Sequence, residues 1–203
     1  MFIIILEAKN ISFGYKTSQH KILDNLSISI ESHERVGINA PSGFGKTTLC
    51  KIISGYEKKF KGTVTLDNIP LSSYGGYCPV QMIWQNPEYA VNPKLKMKDI
   101  IDEGDNISQR IIKGLGIEHD WLNRYPAEIS GGELQRFCIA RALGEKTKFI
   151  LADEISTMLD LITQSQIWNF LIKECENRKI GLLIVSHSEP LLNQVCTRRH
   201  NDL

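Results

Sequence analysis

The stretch Ala40-Pro41-Ser42-Gly43-Phe44-Gly45-Lys46-Thr47 constrains this chain more than any other. A short apolar run from Arg35 to Ile38 precedes it and reads as a strand, and Thr47 to Ile53 reads as a helix. Strand, glycine-rich turn and helix in that order make a phosphate-binding loop, in which backbone N–H groups and the helix N-terminus face phosphate oxygens. Gly43 and Gly45 permit close approach. Lys46 reaches the β and γ phosphates of a nucleoside triphosphate, and the Thr47 hydroxyl ligates Mg²⁺. Ser42 and Thr48 complete the expected nucleotide-contacting set. The first position of the pattern is Ala40 where glycine is usual. Alanine fits there only at negative φ, so modest strain or slower turnover is expected.

Two further elements follow at a distance. Phe149-Ile150-Leu151-Ala152 is an apolar run ending in Asp153-Glu154. Such a run buries a strand and projects its acids from the C-terminal edge, where open α/β sheets bind ligands. Asp153 is placed to hold Mg²⁺, directly or through water, and Glu154 to polarise an attacking water. Upstream, Ser130-Gly131-Gly132 precedes an apolar-periodic stretch to Leu143. Ser130 reads as the N-cap of that helix, and the glycines make an anion nest at its start.

The remaining pattern gives the architecture. Strands are expected over Lys9 to Tyr15, Leu26 to Ile30, Gly62 to Leu66, Pro79 to Trp84 and Gly181 to Ser186, and a long amphipathic helix over Leu161 to Arg178. Residues 86–128 carry Ile100, Ile101, Ile107, Ile111, Ile112 and Leu115 at helical spacing and read as a small helical insert. The fold class is α/β, with a mainly parallel sheet in the second half. The run Phe2-Ile3-Ile4-Ile5-Leu6 is too short for a signal core or a bilayer span and is expected to be a buried first strand.

In this order and spacing the motifs resemble those of the ATP-binding cassette (ABC) ATPases, over nearly the whole chain. The resemblance implies a phosphate-loop cassette with an N-terminal antiparallel β subdomain, a mainly parallel core sheet and a small helical subdomain, residues 1–203 forming one domain. It implies ATP and Mg²⁺ sandwiched between two cassettes, with Ser130, Gly131 and Gly132 contacting the γ-phosphate on the opposite subunit. Gln85, in Ile83-Trp84-Gln85-Asn86-Pro87, matches the family's glutamine loop, whose side chain joins the Mg²⁺ shell. His187, in Val185-Ser186-His187, matches the switch histidine at the γ-phosphate. Tyr15 matches the aromatic that stacks on adenine, and Ser156 to Asp160 the loop that crosses the dimer interface. Ile129, Glu133 and Ile155 stand where leucine, glutamine and proline are commonest in the family.

A finer resemblance lies in Gln85-Asn86-Pro87-Glu88-Tyr89-Ala90-Val91-Asn92-Pro93 and Leu122-Asn123-Arg124-Tyr125-Pro126-Ala127-Glu128, which are similar to the ATPase subunits of peptide and nickel importers. These elements flank the insert that receives a permease helix there. That resemblance implies a partner permease, a second ATPase subunit, indirect dependence on an extracytoplasmic substrate-binding protein, and a place on the cytoplasmic face of the membrane. The insert is shorter than in those subunits. The chain also ends soon after His187, so their terminal strands and C-terminal extension are expected to be missing.

Composition is consistent with this and narrows it. Of 203 residues, 24 are Lys or Arg and 23 are Asp or Glu, leaving a net charge of +1 and no field that calls for nucleic acid. Five scattered cysteines without a Cys-x-x-Cys pair favour free thiols in a reducing cytosol. No stretch approaches the roughly 20 apolar residues of a membrane helix, so a membrane role must come through a partner. The alternatives to an importer ATPase are a soluble ABC ATPase outside transport, and a catalytically weak regulatory subunit, a reading that rests on Ala40, Glu133, Ile155 and the short C-terminus.

Overall fold

The computed structural model of the chain describes residues 3–15, 21–39, 41, 43–157 and 159–200. Two sheets carry the fold. An antiparallel sheet has the order β2-β1-β4-β5, from β1 (Ile5–Phe13), β2 (Leu23–Glu31), β4 (Lys61–Leu66) and β5 (Ile69–Pro70). A parallel sheet has the order β6-β7-β8-β3-β9, from β3 (Arg35–Ile38), β6 (Val80–Ile83), β7 (Phe149–Asp153), β8 (Gly181–Val185) and β9 (Arg198–His200). Among the described residues six α-helices complete it: α1 (Lys46–Ile53), α2 (Met97–Asp102), α3 (Gln109–Gly114), α4 (Gly131–Ala142), α5 (Leu161–Arg178) and α6 (Glu189–Val195). This is the α/β cassette architecture expected from the sequence.

Side-chain alternation explains where the parallel sheet sits. Along β7, Ile150 and Ala152 face a core shared with α4, α5 and the insert, while Phe149 and Leu151 face a core shared with α1 and the antiparallel sheet. β8 divides the same way, with Leu182 and Ile184 on the first side and Leu183 and Val185 on the second. Both faces are covered, so these strands are apolar throughout, as buried parallel strands must be. In the antiparallel sheet only one face is covered, and β2 accordingly alternates buried and exposed residues over most of its length.

The first strand differs from expectation. Leu6 is buried, but Ile3 and Ile5 are half exposed and pairing begins at Ile5. Phe2 lies outside the described residues. Ile5 and Leu6 thus belong to the same strand as the segment from Lys9, bent by an irregular register after Ala8 where Asn10 adopts φ 55°.

The insert is built from two six-residue helices and three 3₁₀ turns rather than longer helices. Ile100, Ile101, Ile111, Ile112 and Leu115 are buried in the core it shares with α4 and α5, and Ile107 packs at its margin. Gly114 lets α3 approach α5 closely, since a Cβ there would lie 2.0 Å from the Phe170 ring. The C-terminal segment corrects a second expectation: α6 and β9 follow His187, and β9 adds a fifth parallel strand beside β3, with Gly37 opposite Arg199. Its Arg-Arg-His sequence lacks the apolar pattern of a strand. Arg198 is instead held by Glu34, which it contacts through Nε at 2.5 Å, on an edge where charge blocks further pairing.

Candidate functional site

The phosphate loop joins β3 to α1 at the C-terminal edge of the parallel sheet. Gly43 and Gly45 adopt φ 88° and 80°, a left-handed conformation that glycine takes without strain. Gly45 is also the N-cap of α1, and a Cβ there would lie 2.6 Å from the Ile22 side chain. The loop closes on itself through Lys46, whose Nζ donates to the Pro41 carbonyl at 2.9 Å. Ala40 and Ser42 lie outside the described residues.

Above the loop is a cavity of about 380 Å³ lined by Tyr15, Ile22, Gly43, Gly45, Lys46, Thr47, Thr48, Gln85, Glu154 and His187. Nine of the predicted residues therefore share one cleft, Gln85 and Glu154 among them, although they come from five separate segments. Ile22 was not anticipated. Its only sequence signal is its place just before β2, which gives no hint that it packs against the loop.

Glu154 is the centre of this cleft. Its Oε1 lies 2.6 Å from His187 Nε2 and 3.9 Å from Lys46 Nζ, and its Oε2 accepts from Gln85 Nε2 at 3.0 Å. Glu154 has φ 50°, a strained region for a residue with a side chain, of order 1–3 kcal/mol. Its backbone N–H donates to the Val185 carbonyl at 2.9 Å, which together with the side-chain contacts holds the conformation.

Asp153 is the last residue of β7 and only 2% exposed. It accepts a hydrogen bond from Thr47 Oγ1 at 2.6 Å. Burial, the largest influence, pushes its carboxyl above the usual carboxylate range, and the adjacent Glu154 charge adds to this against the opposing Thr47 hydrogen bond and Lys46 charge. Tyr15 is half exposed at the mouth, 3.5 Å from the Thr48 hydroxyl, with its ring edge-on to Phe13 at 4.9 Å between centroids.

Ser130, Gly131 and Gly132 do not line this cavity. They start α4, with Ser130 and Gly131 exposed. The Ser130 Oγ accepts from the Glu133 N–H at 3.3 Å, and the Glu133 carboxylate accepts from the Ser130 N–H at 2.6 Å. Glu133 thus closes a reciprocal capping box, a role that glutamine could share. A Cβ on Gly132 would lie 3.0 Å from Leu159, so this helix start abuts the Ser156–Asp160 loop. Asp160 caps α5 by accepting from the Ile162 and Thr163 N–H groups, both at 3.0 Å. Ile155, where proline is common, is buried in the core. Met158 lies outside the described residues.

The ABC transporter family profile matches residues 23–157, which include the phosphate loop, the Ser-Gly-Gly helix start and the Asp153-Glu154 strand. This chain belongs to the ABC transporter family. Among curated relatives of the cassette, the oligopeptide transport ATP-binding protein OppF of Streptococcus mutans is 32% identical over 96% of this chain and 70% of that protein. The nickel import ATP-binding protein NikE of Escherichia coli K12 is 28% identical over 92% of this chain and 76% of that protein. Among solved structures, the dimeric post-hydrolysis state of the ATP-binding cassette MJ0796, bound to ADP and Pi, superposes with a TM-score of 0.78. It is 27% identical and covers 92% of this chain and 89% of that one. The cassette is accordingly an ATP-binding ABC ATPase subunit.

Proposed function

We propose that this cassette, residues 1–203 as one unit, hydrolyses ATP as the energy-supplying subunit of an importer of the peptide or nickel type. One observation carries the catalytic part: Glu154, at the C-terminal edge of β7, is in reach of Gln85, His187 and Lys46 in one cleft. The Glu154 carboxylate accepts a proton as water attacks the γ-phosphorus of ATP, the bond to ADP breaks, and inorganic phosphate leaves. His187 and Gln85 fix the orientation of that carboxylate and contact the γ-phosphate region. Lys46 and the N–H groups of Ser42, Gly43, Gly45 and Thr48 oppose the phosphate charge, while Tyr15 offers its exposed face to adenine.

The residues beside Glu154 fit Mg²⁺. Thr47 Oγ1 and Asp153 Oδ2 are oxygen donors 2.6 Å apart, and a divalent cation would relieve the cost of the buried carboxylate. Thr47, Asp153 and the amide oxygen of Gln85 would hold the ion. When bound it supplies charge neutralisation at the phosphate oxygens.

Ser130, Gly131 and Gly132 serve the nucleotide of a second cassette, a reading supported by the exposure of Ser130 and Gly131 away from their own cleft. The partner is another copy or a paralogue. Coupling to a permease is proposed at the insert, where Tyr89 is 77% exposed beside the Gln85 segment. Met97 and Ile100 are fully buried and serve the core, and Val91 packs partly against it. Among the described residues no helix is long and apolar enough to cross a membrane. Attachment to the cytoplasmic face would therefore run through the permease, and the extracytoplasmic binding protein would be reached only indirectly. Affinity purification from membranes tests this reading. A permease and a second ATPase should copurify; a protein that stays in the soluble fraction when its candidate permease is coexpressed contradicts it.

A further inference from the structure

The residues from Ser186 to Glu189 form a short bridge, and both ends of it are tied to the end of β3. At the first end, the Ser186 N–H donates to the Ile38 carbonyl at 3.3 Å. At the second, the Asn39 amide donates to Glu189 Oε1. His187 hangs between these two anchors, with its imidazole on Glu154. Ile38 and Asn39 are the residues that lead directly into the phosphate loop. The second anchor is itself braced. Arg199 of β9 donates to Glu189 Oε2 at 2.8 Å and to Asn193 at 2.9 Å, and its side chain lies along Gly37, where a Cβ would come within 3.1 Å of it. Ser188 closes the bridge locally: its N–H donates to Ser186 Oγ at 3.1 Å, and its own hydroxyl accepts from Leu191 at the start of α6.

We infer that Glu189 is a positioning residue for hydrolysis, holding His187 on Glu154 by pinning the downstream end of this bridge to Asn39. The inference rests on the role proposed above for His187. The chemistry suits the task. One carboxylate serves two donors through separate oxygens, an amide on one side and a guanidinium on the other, which fixes its rotation as a single hydrogen bond would not. Both contacts are on the surface and contribute little to folding, whereas a small displacement of a catalytic group has a large effect on rate. Loss of the anchor should therefore appear in turnover rather than in stability.

The experiment compares steady-state ATPase kinetics, ATP affinity and melting temperature for the intact chain and four variants. Glu189→Ala should lower kcat by roughly three- to tenfold, leaving KM, ATP affinity and melting temperature nearly unchanged. Asn39→Asp, which sets two carboxylates against each other, should reproduce the loss. The double variant Asn39→Asp with Glu189→Gln restores a donor–acceptor pair with its direction reversed, and should recover most of the lost kcat. His187→Ala is the control for the underlying reading. If it leaves kcat intact, the role of His187 is wrong and the inference falls with it. If His187→Ala lowers kcat but Glu189→Ala does not, only the positioning role is overturned. A Glu189→Ala loss that the reversed pair fails to recover also overturns it, because the contact with Asn39 would then not be the one that matters.

Discussion

Arg110 of the insert places two guanidinium nitrogens on the two carboxylate oxygens of Glu174 in α5, at 2.6 and 2.7 Å. Glu174 is 1% exposed, whereas the Arg110 side chain is 61% exposed. The pair joins the insert to α5, the helix that follows the Ser156–Asp160 loop. Removing Arg110 would leave the buried carboxylate to Arg178, which stands at 3.8 Å. Arg110→Ala should destabilise the protein by about 1–3 kcal/mol. Urea unfolding should report a lower midpoint with little change in slope. An unchanged midpoint would mean that the pair does not bind the insert to α5.

Lys46→Ala removes the cation at the phosphate loop, and the neutral backbone donors cannot replace its charge-assisted contacts. ATP binding should weaken by about 2 kcal/mol or more, some 30-fold, and hydrolysis should vanish. Equilibrium titration with ATP checks this. Wild-type affinity in the variant would contradict the assignment of the loop.

Asp153 predicts a pH effect with a definite sign. Its carboxyl is pushed up by burial, so without nucleotide the folded state binds that proton more tightly than the unfolded chain does. Its contribution to stability is full below the ordinary carboxylate value of 3.8 and is lost as pH rises through the raised folded value. Asp153→Asn keeps an acceptor for Thr47 and removes the charge. In the absence of nucleotide and Mg²⁺ it should melt above wild type at pH 7, and the difference should shrink toward pH 4. A variant that melts below wild type at pH 7 would show that the charge is compensated.

Tyr89→Ala tests coupling without touching the nucleotide cleft. Tyr89 is 77% exposed, so its loss should leave stability within about 0.5 kcal/mol. Membrane association with the coexpressed permease should fall while ATP affinity stays the same. Membrane binding that survives the change would move the docking surface elsewhere on the insert.

Local chemistry decided what could be read in advance. Arg35–Ile38 and Leu161–Arg178 have the predicted bounds because an apolar run beside a glycine-rich loop and a long helical period both declare themselves in sequence. The phosphate-loop residues and Glu154 are legible for a similar reason, because each motif fixes its own backbone turn, whereas Gln85, His187 and Tyr15 are legible through the family resemblance. What stayed hidden depends on partners far apart in the chain. Arg198 and Arg199 carry no strand signal, because nothing in them shows that Glu34 and Glu189 will neutralise an edge strand. Ile5 looked like a buried position until pairing with β2 turned it outward. Glu133 is the exception. Ser130 followed three residues later by glutamate is itself a capping signal, and its weight was obscured by comparison with the usual glutamine.

The central claim is that Glu154 activates water in a site completed by a second cassette. Glu154→Gln tests it most directly, because the amide keeps the shape and removes the proton acceptor. Size-exclusion chromatography with Mg·ATP, run for the chain alone and with its coexpressed paralogue, should show a stable dimer that retains unhydrolysed ATP, with turnover reduced at least 100-fold, about 2.7 kcal/mol. A variant that hydrolyses ATP at the wild-type rate, or that stays monomeric with bound ATP in both settings, would contradict the account.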